Sequence, residues 1–427
     1  MILIYRIFST DIYPFLIIYI YFRKILKKED PKRFKEKIFI FNFQINKKKN
    51  TKLIWFHAAS IGEYKSILPI IERLKRNNKN LAVLITTTTL SSGNLAKKEL
   101  KKFVNVEHRY LPFDVPFLID RFFYLWKPNR VFLVDSEIWP NLILTAKKYN
   151  IPIALINGRL TAKSFNKWIR FPNVAKKIFN FFDLCLCSNN ETKNYLNKLN
   201  VKNTFFKGNI KFISRVNFEK IYNINKNILL RKKTWFAASI HEGEDIFCLK
   251  THLNLKKKFN DIITIVAPRH INKKKKIQRL FEKSGLKTQI LSENEKILED
   301  KEIIIINYFG ALQNFFKYTK SVFMGKSMIE KFKNDGGQNP IEAAKLNCKI
   351  YHGPYIYNFS EIYKLLDKKK ISYEIKNYKE LSHKLELDLT NPIKKSNRVV
   401  DPISVLGEKT LIDTMKLVDE FLNHDNK

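Results

Sequence analysis

The strongest constraint on the fold is a repeated alternation of short apolar runs with helical patterns, in two separate parts of the chain. In the first part the predicted strands are Leu53 to Phe56, Leu81 to Ile85, Val131 to Val134, Ile151 to Ile156 and Leu184 to Cys187. In the second part they are Trp235 to Ala238, Ile262 to Val266, Ile303 to Ile306 and Val322 to Met324. Strands that alternate with helices form parallel sheets with helices on both faces. The pattern therefore predicts an α/β protein with two similar halves.

The length of the chain agrees with two domains. A chain of 427 residues is too long for one ordinary hydrophobic core, and 45% apolar residues are enough for two. The segment Lys211 to Lys233 is polar and has no clear strand, so it is interpreted as the interdomain connection. We therefore expect an N-terminal segment at residues 1–30, a first domain at 31–210 and a second domain at 211–427.

The formal net charge of +39 has three interpretations. Lysines could neutralise the phosphates of a nucleic acid, bind an anionic membrane surface or acidic lipid, or simply cover solvated faces. No zinc-finger, helix-turn-helix or RNA-recognition signature is present, so no nucleic-acid partner is predicted. The spacing of the four cysteines suits neither a zinc site nor a disulfide framework, which fits a reducing compartment.

The N-terminus differs from the rest of the chain. Residues Ile2 to Phe22 are strongly apolar, although Arg6 and Asp11 interrupt them. A basic cluster follows, made of Arg23, Lys24, Lys27 and Lys28. About 20 apolar residues span a bilayer, and a basic flank stays on the cytoplasmic side. The segment is predicted to anchor the protein to a membrane, and the alternative is an amphipathic helix docked on the protein.

In parallel sheets, ligands bind beyond the carboxyl ends of the strands. The loop His57 to Glu63 joins a predicted strand to a helix, and Glu63 could act there as a general base or complement the helix dipole. The loop Asp135 to Asn141 carries two acids, a tryptophan and a proline, and its alternative is a capped helix start. Arg159 follows the next strand and could meet a phosphate, a carboxylate or a surface acid.

The second half has three comparable loops. Arg269 follows a predicted strand and suits bidentate phosphate binding. Gly310 lies at a predicted helix start, and the run Gly336 to Glu342 places Asn339 as N-cap and Pro340 at the first helical position. Helix starts of this kind attract phosphate, although each loop has a purely structural interpretation too.

These loops, in this order, resemble the 3-deoxy-D-manno-octulosonic acid (Kdo) transferases of Gram-negative bacteria, from about residue 31 to about residue 366. The motifs of the first half are residues 55–63, 86–89, 110–114, 137–141, 157–160 and 208–212. Those of the second half are residues 237–244, 268–270, 337–342 and 353–354.

The resemblance implies a GT-B glycosyltransferase with two Rossmann-like domains and an active cleft between them. It implies CMP-Kdo as the donor, a lipid A precursor as the acceptor, no cofactor or metal, and a place on the cytoplasmic side of the inner membrane. It implies that the first domain holds the acceptor, with Glu63 as general base and with Asp135 and Lys211 assisting the transition state. The second domain would bind CMP through Pro268, Arg269, Gly310, Ala311, Leu312, Asn339, Pro340, Ile341 and Glu342.

The chain departs from the family pattern at three positions. Asp135 stands where the family usually has Glu, Gly158 where it has Ala, and Lys326 where it has the second Gly of Gly-Gly-Ser. Two other functions stay open: a GT-B transferase with another nucleotide-sugar and acceptor, and a basic membrane- or nucleic-acid-binding protein without enzymatic activity.

Overall fold

The computed structural model describes residues 1–39, 51–213, 226–308, 310–391 and 402–423. The chain divides into two compact units, the first made of Met1–Arg215 and Val405–Lys427 and the second of Val216–Ser404. Residues 214–225 of the expected interdomain connection lie outside the described residues.

The first unit contains a parallel seven-stranded sheet. Its strands are β1 (Leu53–His57), β2 (Ala82–Thr87), β3 (Val106–Tyr110), β4 (Arg130–Val134), β5 (Ile153–Gly158), β6 (Leu184–Cys187) and β7 (Thr204–Phe206), in the order β3-β2-β1-β4-β5-β6-β7. Its helices include α1 (Ile2–Asp11), α2 (Tyr13–Ile25), α3 (Ile61–Asn77), α4 (Leu90–Glu99), α5 (Pro116–Trp126), α6 (Pro140–Lys148), α7 (Ala162–Trp168), α8 (Pro172–Phe179) and α9 (Asn190–Lys198). The chain reverses direction across the sheet between β1 and β4, which makes this pair the topological switch point.

The second unit repeats the architecture. Its strands are β8 (Lys233–Ile240), β9 (Ile262–Pro268), β10 (Thr288–Leu291), β11 (Ile303–Ile306), β12 (Ser321–Met324), β13 (Lys349–His352) and β14 (Ser372–Glu374), in the order β10-β11-β9-β8-β12-β13-β14. Its helices include α10 (Lys226–Arg231), α11 (Glu244–Lys256), α12 (Lys274–Glu282), α13 (Leu312–Tyr318), α14 (Ile341–Lys345), α15 (Ser360–Lys368) and α16 (Tyr378–Thr390). Here the switch point lies between β8 and β12.

The predicted α/β class with two parallel sheets is confirmed. Every apolar run that the sequence analysis interpreted as a strand forms one, because both faces of a parallel sheet are covered and such strands are apolar throughout. The strands at the sheet edges were missed. For example, β3 carries Glu107, His108 and Arg109, and β7 has only three residues, all partly exposed.

The predicted second domain at residues 211–427 includes the last helix, α17 (Pro402–Asn423), but in the structure this helix packs on the first unit. Its apolar residues Met415, Val418 and Phe421 join the core of the first unit, and the Phe421 ring lies 5.2 Å from that of Phe132. Arg130 Nε also donates to Phe421 O at 3.1 Å. From Val405 onward the chain therefore belongs to the first unit, because this helix covers apolar residues of the first sheet.

The N-terminal helices pack against the first unit through one side. Tyr5 OH donates to Asp114 Oδ2 at 2.9 Å, and Asn141 Nδ2 donates to Ser9 Oγ at 3.0 Å. Ile20 is buried against a small apolar cluster. Among the described residues no single helix is long and apolar enough to cross a membrane. By length and composition alone, α1 and α2 together meet that requirement, with a bend of 54° between them.

Candidate functional site

The switch point of the first unit gathers three of the predicted site residues. β1 and β4 are neighbours in the sheet, with His57 paired to Leu133. Their carboxyl ends therefore open at the same edge, where α/β proteins bind ligands. Glu63 follows β1, Asp135 follows β4, and the turn that carries Lys211 lies beside them.

Glu63 is held by a reciprocal capping box at the start of α3. Ser60 Oγ accepts from Glu63 N at 3.3 Å, while Glu63 Oε2 accepts from Ala59 N at 2.7 Å and Oε1 accepts from Ser60 Oγ at 2.9 Å. A Cβ at Gly62 would meet only Ser60 Oγ, at 4.0 Å, so the space around this turn is open. The hydrogen bonds thus fix the position of the carboxylate.

The pKa of Glu63 is raised above its usual value. Burial is the largest cause, and the charges of Asp135 and Glu137 act in the same direction. The hydrogen bond from Ser60 and the neighbouring His57 oppose this shift. A carboxylate with a raised pKa is a better proton acceptor, which is the property that a general base requires.

Asp135 adopts a strained conformation beside Lys211. Its φ of +61° is unusual for a residue with a side chain, and its Oδ2 lies 2.5 Å from Lys211 Nζ. Its Oδ1 is buried without a hydrogen-bond partner among the described residues. Asn157 Oδ1 accepts from Ile210 N at 3.1 Å and so holds the turn that presents Lys211. Strain of this kind persists where the surrounding structure fixes it.

The capped helix start expected after β4 is present, but the capping carboxylate comes from another loop. Helix α6 begins at Pro140 without a cap from its own N-cap side chain. Its first amides, those of Asn141 and Leu142, donate to the Asp114 carboxylate at 2.9 Å each. Burial raises the pKa of Asp114 to about 6. Asp135 and Glu137 are therefore not needed to cap the helix, because Asp114 does so.

A buried lysine connects the N-terminal segment to the loop that holds Glu63. Lys37 Nζ lies 2.5 Å from Glu29 Oε2 and donates to Thr88 O at 2.7 Å. Thr88 Oγ1 in turn donates to Ala59 O at 3.1 Å, and Ala59 N donates to Glu63. The position of Glu63 thus depends on residues that precede the first strand.

The switch point of the second unit is organised by a buried carboxylate. Glu244 Oε2 accepts from His241 N at 2.8 Å and from Lys326 N at 2.7 Å. Its Oε1 accepts from Ser327 N at 2.9 Å and Met328 N at 3.1 Å. Burial raises the pKa of Glu244, while these amides act in the opposite direction. This one side chain fixes the loops after β8 and β12.

The departure at Lys326 has a conformational consequence. Its φ of +58° lies in the left-handed region, which favours the glycine that the family pattern has there. Its Nζ lies 3.0 Å from Asp335 Oδ2. The preceding Gly325 has no room for a side chain, since a Cβ would lie 2.6 Å from Ile240 Cα. The loop therefore keeps a tight conformation despite the substitution.

Positive charge gathers beyond β8 and β9. Arg269 is exposed directly after β9, and its backbone N–H donates to Ile240 O at 3.0 Å. The pKa of His241 is lowered to about 4, first by burial and then by the charges of Lys326, His270, Arg269 and Lys331. A neutral His241 can accept from Gln338 Nε2, which lies 3.3 Å from its Nε2. The cations that contribute to this shift would also attract an anion.

The other predicted donor residues lie near the starts of α13 and α14. Gly310 has a φ of +88°, and a Cβ there would meet nothing within 4 Å. Helix α14 begins at Ile341 with Pro340 as its N-cap, one residue later than predicted, and Asn339 Oδ1 accepts from Ile341 N at 3.1 Å. Glu342 Oε1 accepts from Gln313 Nε2 at 2.8 Å, so this pair ties α13 to α14. Pro268 lines a hollow with His241 and His270.

The sequence analysis gave no role to Glu244, Glu137 or Lys37. A signal for Glu244 exists, because Gly62-Glu63 and Gly243-Glu244 each lie near the start of the helix that follows the first strand of their sheet. The contacts from Glu137 to His57 and from Lys37 to Thr88 join residues that are distant in sequence, so spacing alone carries no signal for them.

Comparisons with known proteins identify the family and the fold of the chain. Residues 32–214 match the family model described as 3-deoxy-D-manno-octulosonic-acid transferase (kdotransferase). The chain is 30% identical over 338 residues to such a transferase of Aquifex aeolicus, covering 79% of this chain and 86% of the relative. It is 29% identical over 424 residues to that of Rickettsia bellii, covering 98% and 97%. A glycosyltransferase structure from Rickettsia africae, 12% identical, has a TM-score of 0.55 and covers 88% and 100%, which bears out the GT-B fold.

Proposed function

The chain belongs to the 3-deoxy-D-manno-octulosonic acid transferase family, and on that premise we propose that it transfers Kdo from CMP-Kdo to a hydroxyl of a lipid A precursor. Membership of the family makes the chain a glycosyltransferase. The donor, the acceptor and the residue roles that follow are our proposal. The observation that carries it is the cluster of Glu63, Asp135 and Lys211 at the switch point of the first unit.

Glu63 is the proposed general base. The acceptor oxygen attacks the anomeric carbon of Kdo, its proton passes to the Glu63 carboxylate, and the bond from that carbon to the CMP phosphate oxygen breaks. The raised pKa of Glu63 supports this role, because a stronger base takes the proton earlier in the reaction. Asp135 and Lys211, held as an ion pair, would stabilise the positive charge that develops on the sugar and position its carboxylate.

The second unit is proposed to hold CMP. Arg269 is exposed and free to form charge-assisted bonds with the phosphate, and the surrounding cations favour the same anion. The other proposed contacts are Pro268, Gly310, Ala311, Leu312, Asn339, Pro340, Ile341 and Glu342. Fixed positive charge at the phosphate stabilises the leaving group as its negative charge grows.

The N-terminal helices are proposed to lie on the cytoplasmic surface of the inner membrane. Their outward side chains Leu3, Phe15, Phe22 and Ile25 are 57% to 76% exposed, and basic residues follow them. Their inward side chains are occupied by the contacts to Asp114, Asn141 and the cluster around Ile20. A spanning arrangement would break those contacts, whereas an interfacial one keeps them. This surface would bring the enzyme to a lipid acceptor.

The proposal is tested with the purified full chain, CMP-Kdo and a tetraacyl lipid A precursor, with products identified by mass spectrometry. We expect mass increases of whole Kdo units on the acceptor and release of CMP. UDP- and GDP-sugars are tested in parallel as control donors. Transfer from one of these, with none from CMP-Kdo, would replace the proposed donor.

A further inference from the structure

Glu244 is fully buried at the start of α11, so any effect it has on a ligand must act through other residues. Its Oε2 accepts from the backbone N–H groups of His241 and Lys326. Its Oε1 accepts from those of Ser327 and Met328. Four donors that face two oxygens suit a carboxylate, which only accepts hydrogen bonds. One side chain therefore holds the loop after β12 against the loop after β8.

The loop after β12 in turn holds two further segments of the second unit. Lys326 O accepts from Gly337 N at 2.6 Å, and Ser327 Oγ accepts from Gly353 N at 2.9 Å. A Cβ at Gly353 would clash with the carbonyl oxygen of Ser327, so the loop after β13 packs directly on this backbone. The segment of Gly337 leads to residues 339–342, which are proposed contacts of CMP. The arrangement of these contacts therefore depends on the loop that Glu244 holds.

The loop after β8 connects Glu244 to the proposed phosphate contact Arg269. Ile240 O accepts from Arg269 N at 3.0 Å, and the next residue, His241, is the one whose N–H group Glu244 accepts. His241 Nε2 also lies 3.3 Å from Gln338 Nε2, in the segment that precedes α14. Both groups of proposed CMP contacts are thus linked to the same buried carboxylate.

The start of α11 is itself occupied by acidic side chains. In Rossmann-like units a phosphate often binds at the helix start that follows the first strand, because backbone N–H groups point outward there. Here Asp245 Oδ1 accepts from Gly243 N at 3.0 Å and from Ile246 N at 3.1 Å, and Glu244 precedes it. Two carboxylates at this position disfavour a phosphate. The donor phosphate must then be held by other groups, whose placement depends on the loops described above.

We propose that Glu244 is a positioning residue of the donor site, which holds the loops after β8, β12 and β13 in the arrangement that binds the nucleotide. This inference rests on the proposed role of the second unit in holding CMP. Loops that are ordered before the ligand arrives need not be ordered on binding, so the affinity is higher. When only a fraction of the molecules keeps that order, the apparent affinity falls by the same fraction.

Glu244→Gln tests this role, because the amide keeps the shape of the side chain but turns a donor toward two backbone N–H groups. We expect the affinity of the full chain for CMP to fall about ten-fold or more, measured by calorimetry well below the melting temperature. The KM for CMP-Kdo should rise by a similar factor. Turnover at saturating donor should stay within a few-fold of wild type, because the proposed base lies in the other unit.

Asp388→Asn is the matched control, because Asp388 is another buried carboxylate of the second unit. It accepts from Ser321 Oγ, Lys349 Nζ and Tyr351 OH. Ser321 and Lys349 are the first residues of β12 and β13, so Asp388 lies toward the amino ends of the strands, opposite the edge where ligands bind. We expect this variant to have a lower melting temperature and wild-type affinity for CMP.

Wild-type CMP affinity in Glu244→Gln, or an equal loss of affinity in both variants, would overturn the inference. If the glutamine variant does not fold, Glu244→Asp takes its place, since it draws the carboxylate back by one methylene and cannot reach both loops; unchanged affinity there would overturn the inference too. A wild-type protein that binds no CMP would instead overturn the proposed donor. Melting curves of all variants report whether each one is folded.

Discussion

Glu63→Gln is the most decisive perturbation, because the structure gives this residue two separable roles. Its carboxylate completes the capping box of α3, and it lies beside the carboxylates of Asp135 and Glu137 at the switch point. The first role affects stability, and the proposed second role affects turnover. The amide keeps the size of the side chain but cannot take a proton.

The stability cost follows from the contacts of the two carboxylate oxygens. The amide oxygen of the variant can still accept the hydrogen bond from Ala59 N, which is 2.7 Å long in the wild-type protein. The amide nitrogen would face Ser60 Oγ, which already accepts from the backbone N–H of residue 63 at 3.3 Å. One hydrogen bond is weakened, so the free energy of unfolding should fall by about 0.5–1.5 kcal/mol. Loss of a general base lowers the rate by about 10²–10⁴-fold.

Turnover of CMP-Kdo and thermal melting are measured on the same sample, together with CMP affinity by calorimetry. Asn189→Ala is the matched control, because Asn189 caps α9 in the same unit by accepting from Thr192 N at 2.8 Å. Its loss should cost about 1 kcal/mol and leave turnover near normal. If Glu63→Gln also stays within a few-fold of wild-type turnover while only its melting point falls, Glu63 is structural and the proposed mechanism is refuted.

Three further variants address other parts of the chain. Arg269→Ala should weaken CMP binding about ten- to a hundred-fold with little change in melting point, and Arg269→Lys should recover only part of it; unchanged calorimetric affinity would exclude Arg269 from the donor site. Phe15→Ser with Phe22→Ser should reduce flotation with anionic vesicles and leave circular dichroism unchanged; undiminished flotation would assign membrane binding to the basic surface instead. Lys37→Met should lower the free energy of unfolding by about 1–3 kcal/mol, because Glu29 loses one of its two cationic partners and keeps only Arg23; a wild-type melting point for Lys37→Met would contradict the buried pair.

Most interior strands of each sheet could be predicted from sequence, whereas the edge strands and β13 could not. β11 is four consecutive isoleucines, and such a run suits only a strand that is covered on both faces. β3 lies at the edge of the first sheet, where Glu107 and Arg109 are partly exposed, so its pattern is not apolar enough to be recognised. Helix α17 was assigned to the wrong unit because its sequence does not indicate which hydrophobic core its apolar face packs against.

The site could be predicted only in part. Residues that directly follow a buried strand, such as Glu63, Asp135 and Arg269, must lie at the carboxyl edge of a parallel sheet, so their general location follows from the strand pattern. Lys211 follows a three-residue edge strand, and only the resemblance to the family singled it out. The positive φ of Asp135 and Lys326 could not be predicted from the sequence, because only a few per cent of residues other than glycine adopt that conformation.

The N-terminal segment shows most clearly what a linear pattern omits. Its hydropathy suggests a detachable anchor, but Arg23 lies 2.6 Å from Glu29, and Glu29 is paired with Lys37. Lys37 in turn holds Thr88, whose hydroxyl contacts the loop of Glu63. Removing residues 1–28 would therefore change the surroundings of the proposed base as well as any membrane attachment, and lost activity in such a truncation could have either cause. Substitutions confined to the exposed face of α1 and α2 avoid this ambiguity, because they leave every link from Glu29 to Glu63 in place.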